Sequence, residues 1–293
     1  MVDGFAPAKI NLYLHVVGRR ADGYHLLDSL IAFAGVGDVL AAQPADGVTL
    51  VIDGPFAAGL PTGDDNLVLR AARALQRLAG VERGAAIRLT KRLPPASGIG
   101  GGSADAAATL RILLDLWNVS PSPEELMAVA LGLGADVPMC LMGRAAFASG
   151  IGERLEPAPP LPSCWLVLVN PGLPVATPAV FGARVGPFGT PAPFAETPRD
   201  ARRFAALLKE RGNDLAAPAI AIAPAIGDVL RALEASKGCL LARMSGSGAT
   251  CFGLYEAAPE AERAVRDIAV AHPAWWVQAG PLLELTPGVR PAG

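Results

Sequence analysis

Charge is scarce in this chain, and lysine is scarcer still. Of 293 residues only 18% are charged, and 25 basic side chains nearly balance 27 acidic ones. A protein that coats nucleic acid is normally basic, so a net charge of −2 argues against that class. Only four of the basic residues are lysines (Lys9, Lys91, Lys209 and Lys237), which makes each worth inspecting. The four cysteines (Cys140, Cys164, Cys239 and Cys251) are scattered, with no C-x-x-C and no Cys/His pairing. That excludes a zinc finger or a disulfide framework and fits small buried thiols in a reducing compartment. Long apolar runs are missing too. The most apolar stretch, Leu215 to Gly227, is thirteen residues with two prolines, against the ~20 needed to span a bilayer. The start, MVDGFAPAKINL, lacks a basic segment followed by an apolar run, so no signal peptide is expected. The expectation is a cytoplasmic protein without a membrane anchor.

What is present is core: 52% of the residues are hydrophobic. At ~100–200 residues per domain, the length allows one large domain or two ordinary ones. Strands are expected over Ile10–Val17, Val48–Ile52 and Ala85–Lys91, and a helix over Asn66–Leu78 with Asn66 as its N-cap. A loop over 92–102 feeds an Ala/Leu-rich helix from Ser103 to Trp117. Ser122-Pro-Glu-Glu125 is a capping box opening a helix to about Leu133. Pro157–Pro162 (PAPPLP) is the clearest linker, which divides the chain into halves of mixed helix and strand, 1–157 and 158–293. Beyond it a strand is expected at Trp165–Val169, an irregular excursion at Gly182–Pro198, and helices at Asp200–Glu210 and Ile226–Ala235. Two strands, Leu240–Met244 and Thr250–Tyr255, flank a Gly-Ser-Gly turn, followed by a helix over Glu260–Ala271 and a strand near Trp275–Ala279.

One loop carries chemistry. Pro94-Pro95-Ala96-Ser97-Gly98-Ile99-Gly100-Gly101-Gly102-Ser103-Ala104 runs straight into a helix. Such a run is either a flexible turn or a nest of bare amides at the positive end of a helix dipole, suited to phosphate. The rigid Pro94-Pro95 start and the Ser103 hydroxyl favour phosphate. It is not a Walker loop, because no lysine follows the glycines, and its spacing is not that of the dinucleotide fingerprint.

This loop resembles the central P-x-x-x-G-[LI]-G-x-S-[SA] motif of the GHMP small-molecule kinases. Ala6-Pro-Ala-Lys-Ile-Asn-Leu12 is similar to that family's N-terminal motif, and Met244-Ser-Gly-Ser-Gly-Ala-Thr250 to its C-terminal glycine motif. Asp22-Gly-Tyr-His25, Asp65-Asn-Leu-Val68, Lys91-Arg-Leu-Pro94, Gly132-Leu-Gly-Ala-Asp-Val-Pro138 and Pro174-Val-Ala-Thr-Pro-Ala-Val-Phe181 narrow the likeness to the branch acting on a cytidine diphosphate methylerythritol. Ala96 and Ser97 stand where many members have glycine, and Ala104 where many have a second serine.

The resemblance implies a two-domain α+β fold: an N-terminal, ATP-binding domain like domain 2 of ribosomal protein S5, and a ferredoxin-like C-terminal domain. It implies ATP-dependent phosphorylation of a hydroxyl, with Mg2+, in the non-mevalonate isoprenoid pathway. The partners implied are two small molecules, without nucleic acid or membrane, acting on a monomer or weak homodimer. Lys9 would be the cation beside the accepting hydroxyl and Asp136 its proton acceptor; read alone, they could be an edge-strand lysine and an Asx turn before a strand. Asn11, two residues along the strand from Lys9, would bind the polyol. Residues 94–104 would hold ATP, with Lys91 and Asn66 beside the adenine or ribose and Ser103 as the candidate metal ligand. Tyr24, His25, Thr177 and Phe181 would bind the cytidine; a turn aromatic, a surface histidine and a core phenylalanine are the plainer alternatives.

Overall fold

A computed structural model describes residues 1–285; the last eight residues assigned to the second half, 286–293, lie outside the described part. The chain runs β1 (Val2–Arg19), β2 (His25–Ala45), β3 (Val48–Asp53), α1 (Leu67–Ala79), β4 (Gly84–Thr90), α2 (Gly101–Trp117), α3 (Pro123–Leu133), α4 (Val137–Met142), β5 (Ala146–Gly150) and β6 (Arg154–Pro157). It continues with β7 (Trp165–Asn170), α5 (Thr177–Gly182), α6 (Ala201–Lys209), α7 (Ala216–Ile222), α8 (Ala225–Ala235), β8 (Leu241–Met244), β9 (Cys251–Tyr255), α9 (Ala258–Ala271) and β10 (Trp276–Leu283).

The first sheet is organised by β2, 21 residues long, which pairs with β1, β4 and β5 along different parts of its length. Its side chains alternate between two cores. Ile31 and Phe33 face the helices α1 to α4, while Leu30, Ala32 and Ala34 face α6 and the second sheet. Both faces are buried, so the strand reads as an unbroken apolar run and escapes a search for alternation. β1 also starts eight residues before the expected Ile10. It passes Pro7 by a register shift between Pro7 and Lys9, a bulge of the kind that lets a strand contain proline.

The second sheet has the order β10-β7-β9-β8, all antiparallel, with α9 between β9 and β10. This is the split βαβ arrangement of a ferredoxin-like fold, with α5 to α8 filling its first crossover. The Asn66 cap on α1 and the complete Ser122–Glu125 capping box on α3 are both present. The excursion over 182–198 carries no helix or strand after Gly182, and Asp136 precedes the short helix α4 rather than a strand. No described helix is long and apolar enough to cross a membrane. All four cysteines are free, and Cys140, Cys164 and Cys251 are buried.

β10 joins the two sheets, pairing with β7 along most of its length and with β2 at Leu282–Ala34 and Leu283–Phe33. Two glycines make this junction possible. A Cβ on Gly280 would lie 2.8 Å from the carbonyl carbon of Gly35, and one on Gly35 would lie 2.6 Å from Cδ of Pro281. Backbone cannot step aside as a flexible side chain can. Gly280→Ala is therefore expected to destabilise the protein by about 1–3 kcal/mol, the usual cost of overpacking. Urea denaturation measures this, and an unchanged midpoint would contradict the close approach.

Candidate active site

The site forms where two glycine turns meet. The first (94–100) links β4 to α2, and the second (Ser245–Gly248) links β8 to β9. They touch directly: Thr250 N donates to Ser97 O at 3.1 Å, and the Ser245 side chain donates through Oγ to Gly98 O at 3.2 Å. β1 is tied to both, through Lys9 N to Ile99 O at 2.9 Å and Asn11 N to Ser245 Oγ at 3.1 Å. Gly98 has φ +79°, and a Cβ there would lie 2.6 Å from Gly248 O, so no other residue fits.

α2 begins at Gly101, two residues earlier than the sequence suggested, because Gly100 is an N-cap with no side chain to announce it. Ser103 therefore sits inside the first turn. The amides of Gly101, Gly102 and Ser103 have no acceptor among the described residues. They form the positive end of a 17-residue helix and open onto a cavity of about 1040 Å³. Ala96, Ser97, Gly98 and Gly100 also line it; Pro94, Pro95, Ile99 and Ala104 do not. Ser97 braces the turn by donating to Pro94 O at 2.5 Å.

Against the first glycine loop, Lys9 Nζ donates to Asp136 Oδ2 at 2.9 Å. Lys9 is buried, but the Asp136 side chain is 41% exposed. Asp136 is the N-cap of α4 without capping it, which leaves its carboxylate free for Lys9 and for a ligand. Asn11 Nδ2 donates to Ser29 Oγ at 2.9 Å, and Ser29 donates to Tyr13 O at 2.5 Å. The other end of that amide, Asn11 Oδ1, is buried with no partner, beside the same cavity.

The far end of the cavity is aromatic. His25 and Phe181 stack with ring centroids 5.0 Å apart, and Phe188 meets His25 edge-on at 6.5 Å. Burial, together with the charges of Arg19 and Arg184, holds the His25 pKa below its ordinary value, which favours the neutral imidazole. Tyr24 lines the cavity and is 62% exposed. Thr177 on α5 shares a hydrogen bond with Ser247 of the second turn at 2.8 Å.

Two residues expected in the nucleotide site are not brought into the cavity. Lys91 is buried and donates to Asp38 Oδ2 and Asp105 Oδ2, both at 2.6 Å. Burial works against its charge, but the Asp105 and Asp38 carboxylates outweigh it and raise its pKa. Burial also pushes Asp105 up to about 8, with Lys91 opposing and Asp38 adding to the effect. Asp38 further accepts from the Arg92 and Leu93 amides at 2.5 and 2.8 Å. Lys91 is thus a counter-ion beneath the loop. A Cβ on Gly101 would lie 3.2 Å from its Nζ. Asn66 is occupied as a helix cap, accepting from Val68 N at 2.8 Å and donating to Pro61 O at 2.7 Å. Its neighbour Leu67 is the residue that reaches the cavity.

The GHMP kinases N terminal domain model matches residues 66–144, and the GHMP kinases C terminal model matches 194–271. The chain is 58% identical to the 4-diphosphocytidyl-2-C-methyl-D-erythritol kinase of Paramagnetospirillum magneticum, over 95% of this chain and 97% of that protein. It is 54% identical to the enzyme of the same name from Rhodospirillum rubrum, over 95% and 91%. A crystal structure of 4-(cytidine 5'-diphospho)-2C-methyl-D-erythritol kinase superposes with a TM-score of 0.79 at 39% identity, covering 96% of this chain and 98% of that one. The chain belongs to the 4-diphosphocytidyl-2-C-methyl-D-erythritol kinase family. Within the GHMP kinases a homoserine kinase from Cytophaga hutchinsonii, 18% identical with a TM-score of 0.73, shares the fold.

For this member of the 4-diphosphocytidyl-2-C-methyl-D-erythritol kinases, sequence reasoning missed Asp38 and Asp105. The available signal was a carboxylate in an apolar strand and another in an alanine-rich helix. Removing the cation between them tests the counter-ion role. Lys91→Met leaves the buried Asp38–Asp105 pair without its counter-charge, and breaking a buried ion pair typically costs about 3–5 kcal/mol. Thermal melting should show a fall on the order of 10 °C. A native melting temperature with a raised KM for ATP would instead return Lys91 to the nucleotide site.

Proposed function

We propose that this chain phosphorylates the 2-hydroxyl of 4-diphosphocytidyl-2-C-methyl-D-erythritol with ATP, using Lys9 and Asp136 as its catalytic pair and the amides at the start of α2 as its phosphate cradle. Family membership makes it a kinase of the non-mevalonate isoprenoid pathway. The observation that carries the residue roles is the 2.9 Å contact between Lys9 and Asp136, within the cavity onto which the α2 amides open.

The ATP phosphates lie against the amides of Gly101, Gly102 and Ser103, where helix dipole and unpaired N–H groups act together. The accepting hydroxyl sits beside Asp136 and Lys9, and Asn11 Oδ1 accepts a hydrogen bond from the polyol. The hydroxyl oxygen forms a bond to the γ-phosphorus as the bond to the β,γ-bridging oxygen breaks, and that electron pair leaves with ADP. The hydroxyl proton passes to Asp136. Phosphoryl transfer is largely dissociative, so positioning supplies most of the rate and the proton moves late. Lys9 holds Asp136 in place and draws charge from the transferring group.

The described residues include no cluster of three His, Cys, Asp or Glu side chains able to hold a metal. Mg2+ needs no such cluster, being usually held by one or two protein oxygens together with substrate phosphates. The Ser103 hydroxyl is the donor at the mouth of the cradle. Bound there, the ion would neutralise charge on the β- and γ-phosphate oxygens. The buried free thiols support a cytoplasmic setting.

We place the cytosine between Tyr24 and Phe181, with the His25 imidazole at its edge. The His25 and Phe181 rings, 5.0 Å apart, leave no space for a base between them, since twice the ~3.4 Å stacking distance is needed. Substrate binding on this reading replaces the His25–Phe181 stack with a base–Phe181 stack.

Two measurements check these roles. Asp136→Asn keeps the shape and loses the proton acceptor, so kcat should fall about 10²- to 10⁴-fold while both substrates still bind. A near-native kcat would remove Asp136 from the mechanism. Phe181→Ala should weaken the cytidine substrate about 5- to 150-fold, the range for base–aromatic stacking, with ATP affinity unchanged. Phe181 is only partly buried against its core, so the melting temperature should move little. Native substrate affinity with a large loss of stability would make Phe181 a packing residue.

A further inference from the structure

The segment joining α6 to α7 lies along β1. Leu14 N donates to Gly212 O and Asp214 N to Leu14 O, both at 2.9 Å, which makes a one-residue parallel bridge. The Asp214 carboxylate accepts from Val16 N at 2.8 Å, and Gly212 N donates to His15 Nε2 at 3.1 Å. Asn213, held between these ties, reaches to the second glycine turn. Its Nδ2 donates to Met244 O at 2.7 Å and to Gly246 O at 2.9 Å, while its Oδ1 accepts from Leu215 N at 2.9 Å. Asn213 does not line the cavity, so it acts through the turn.

A trans peptide plane is rigid, with its carbonyl and amide pointing to opposite sides. The Gly246 carbonyl shares its plane with the Ser247 amide. Holding Gly246 O toward Asn213 therefore turns Ser247 N–H the other way. Gly246 and Ser247 both line the cavity, and neither amide has an acceptor among the described residues. The Met244 carbonyl shares its plane with the Ser245 amide, which is bonded to Thr250 O at 2.9 Å, so both tied planes are fixed. Ser247 bonds through its side chain to Thr177, on the helix that carries Phe181.

We propose that Asn213 is a positioning residue for the second glycine turn: by holding the Gly246 carbonyl it presents the Ser247 amide to a phosphate oxygen of the cytidine-linked diphosphate. This rests on the base site proposed above. It gives the two turns separate duties, the first toward ATP and the second toward the other substrate. The residue type matters, because the carbonyls of two successive turns of chain need a side chain with two N–H bonds on one nitrogen. An aspartate of the same shape offers only acceptors there and repels both carbonyls.

The test compares cytidine with cytidine diphosphate by calorimetry, using wild type, Asn213→Asp, Asn213→Ala and, as a control in the same segment, Asp214→Asn. Wild type should bind the diphosphate more tightly than the nucleoside. Asn213→Asp should lose about 10- to 100-fold of that diphosphate affinity, the loss expected for a hydrogen bond to a charged group, and keep its cytidine affinity. Asn213→Ala should lose less in the same direction. Asp214→Asn, which still offers an acceptor to Val16 N, should behave as wild type, and KM for ATP should stay native throughout. Native diphosphate affinity in folded Asn213→Asp and Asn213→Ala overturns the inference and leaves the base site standing. A parallel loss for cytidine and ATP in both variants reduces Asn213 to a purely structural role and also overturns it. Wild type that binds neither cytidine nor its diphosphate overturns the base site and the inference with it.

Discussion

The contact between the two glycine turns is the constraint on which the site depends. Thr250 N on Ser97 O and Ser245 Oγ on Gly98 O join a loop of the first sheet to a loop of the second through one backbone bond and one short side chain. The approach tolerates no Cβ at Gly98. From that contact follows the direction of α2, whose bare first turn faces the cavity. The same contact sets the depth of β1, which carries Lys9 to Asp136 and Asn11 to Ser29. The β10 crossover makes the arrangement stiff at a second point, so the two sheets meet at a sheet junction and at a loop junction.

Charge is arranged around the turns with few groups. The helix terminus supplies positive potential without a side chain, and the Lys9 ammonium is held by a carboxylate that is itself half in the cavity. Beneath the loop, the Lys91 ammonium sits between Asp38 and Asp105, which reduces the negative charge below the α2 amides. In a chain with four lysines, two lie against this loop, Lys9 at Ile99 and Gly100 and Lys91 at Gly101.

Local signals were legible and long-range ones were not. The Asn66 cap and the Ser122 capping box announce their helices because each depends on residues two or three positions apart. The three glycine and lysine motifs pointed to the family and its α+β fold. β2 was missed because burial on both faces removes the alternation that reveals a strand, and Gly35, Gly37 and Pro44 interrupt it further. α2 was placed two residues late because its cap is a glycine. Lys91 looked like a nucleotide ligand because its partners come from β2 and α2, 53 and 14 residues away, and no pattern in sequence couples them. The aromatic end was legible as residue types, but the direct His25–Phe181 stack depends on how α5 folds over the start of β2.

The most direct test of this account is a crystal structure with a non-hydrolysable ATP analogue and 4-diphosphocytidyl-2-C-methyl-D-erythritol bound together. The account predicts β- and γ-phosphate oxygens within hydrogen-bond distance of the Gly101, Gly102 and Ser103 amides. It places the 2-hydroxyl between the γ-phosphorus and Asp136, with Lys9 beside it. A nucleotide bound away from the start of α2, or a 2-hydroxyl out of reach of Asp136, would contradict it.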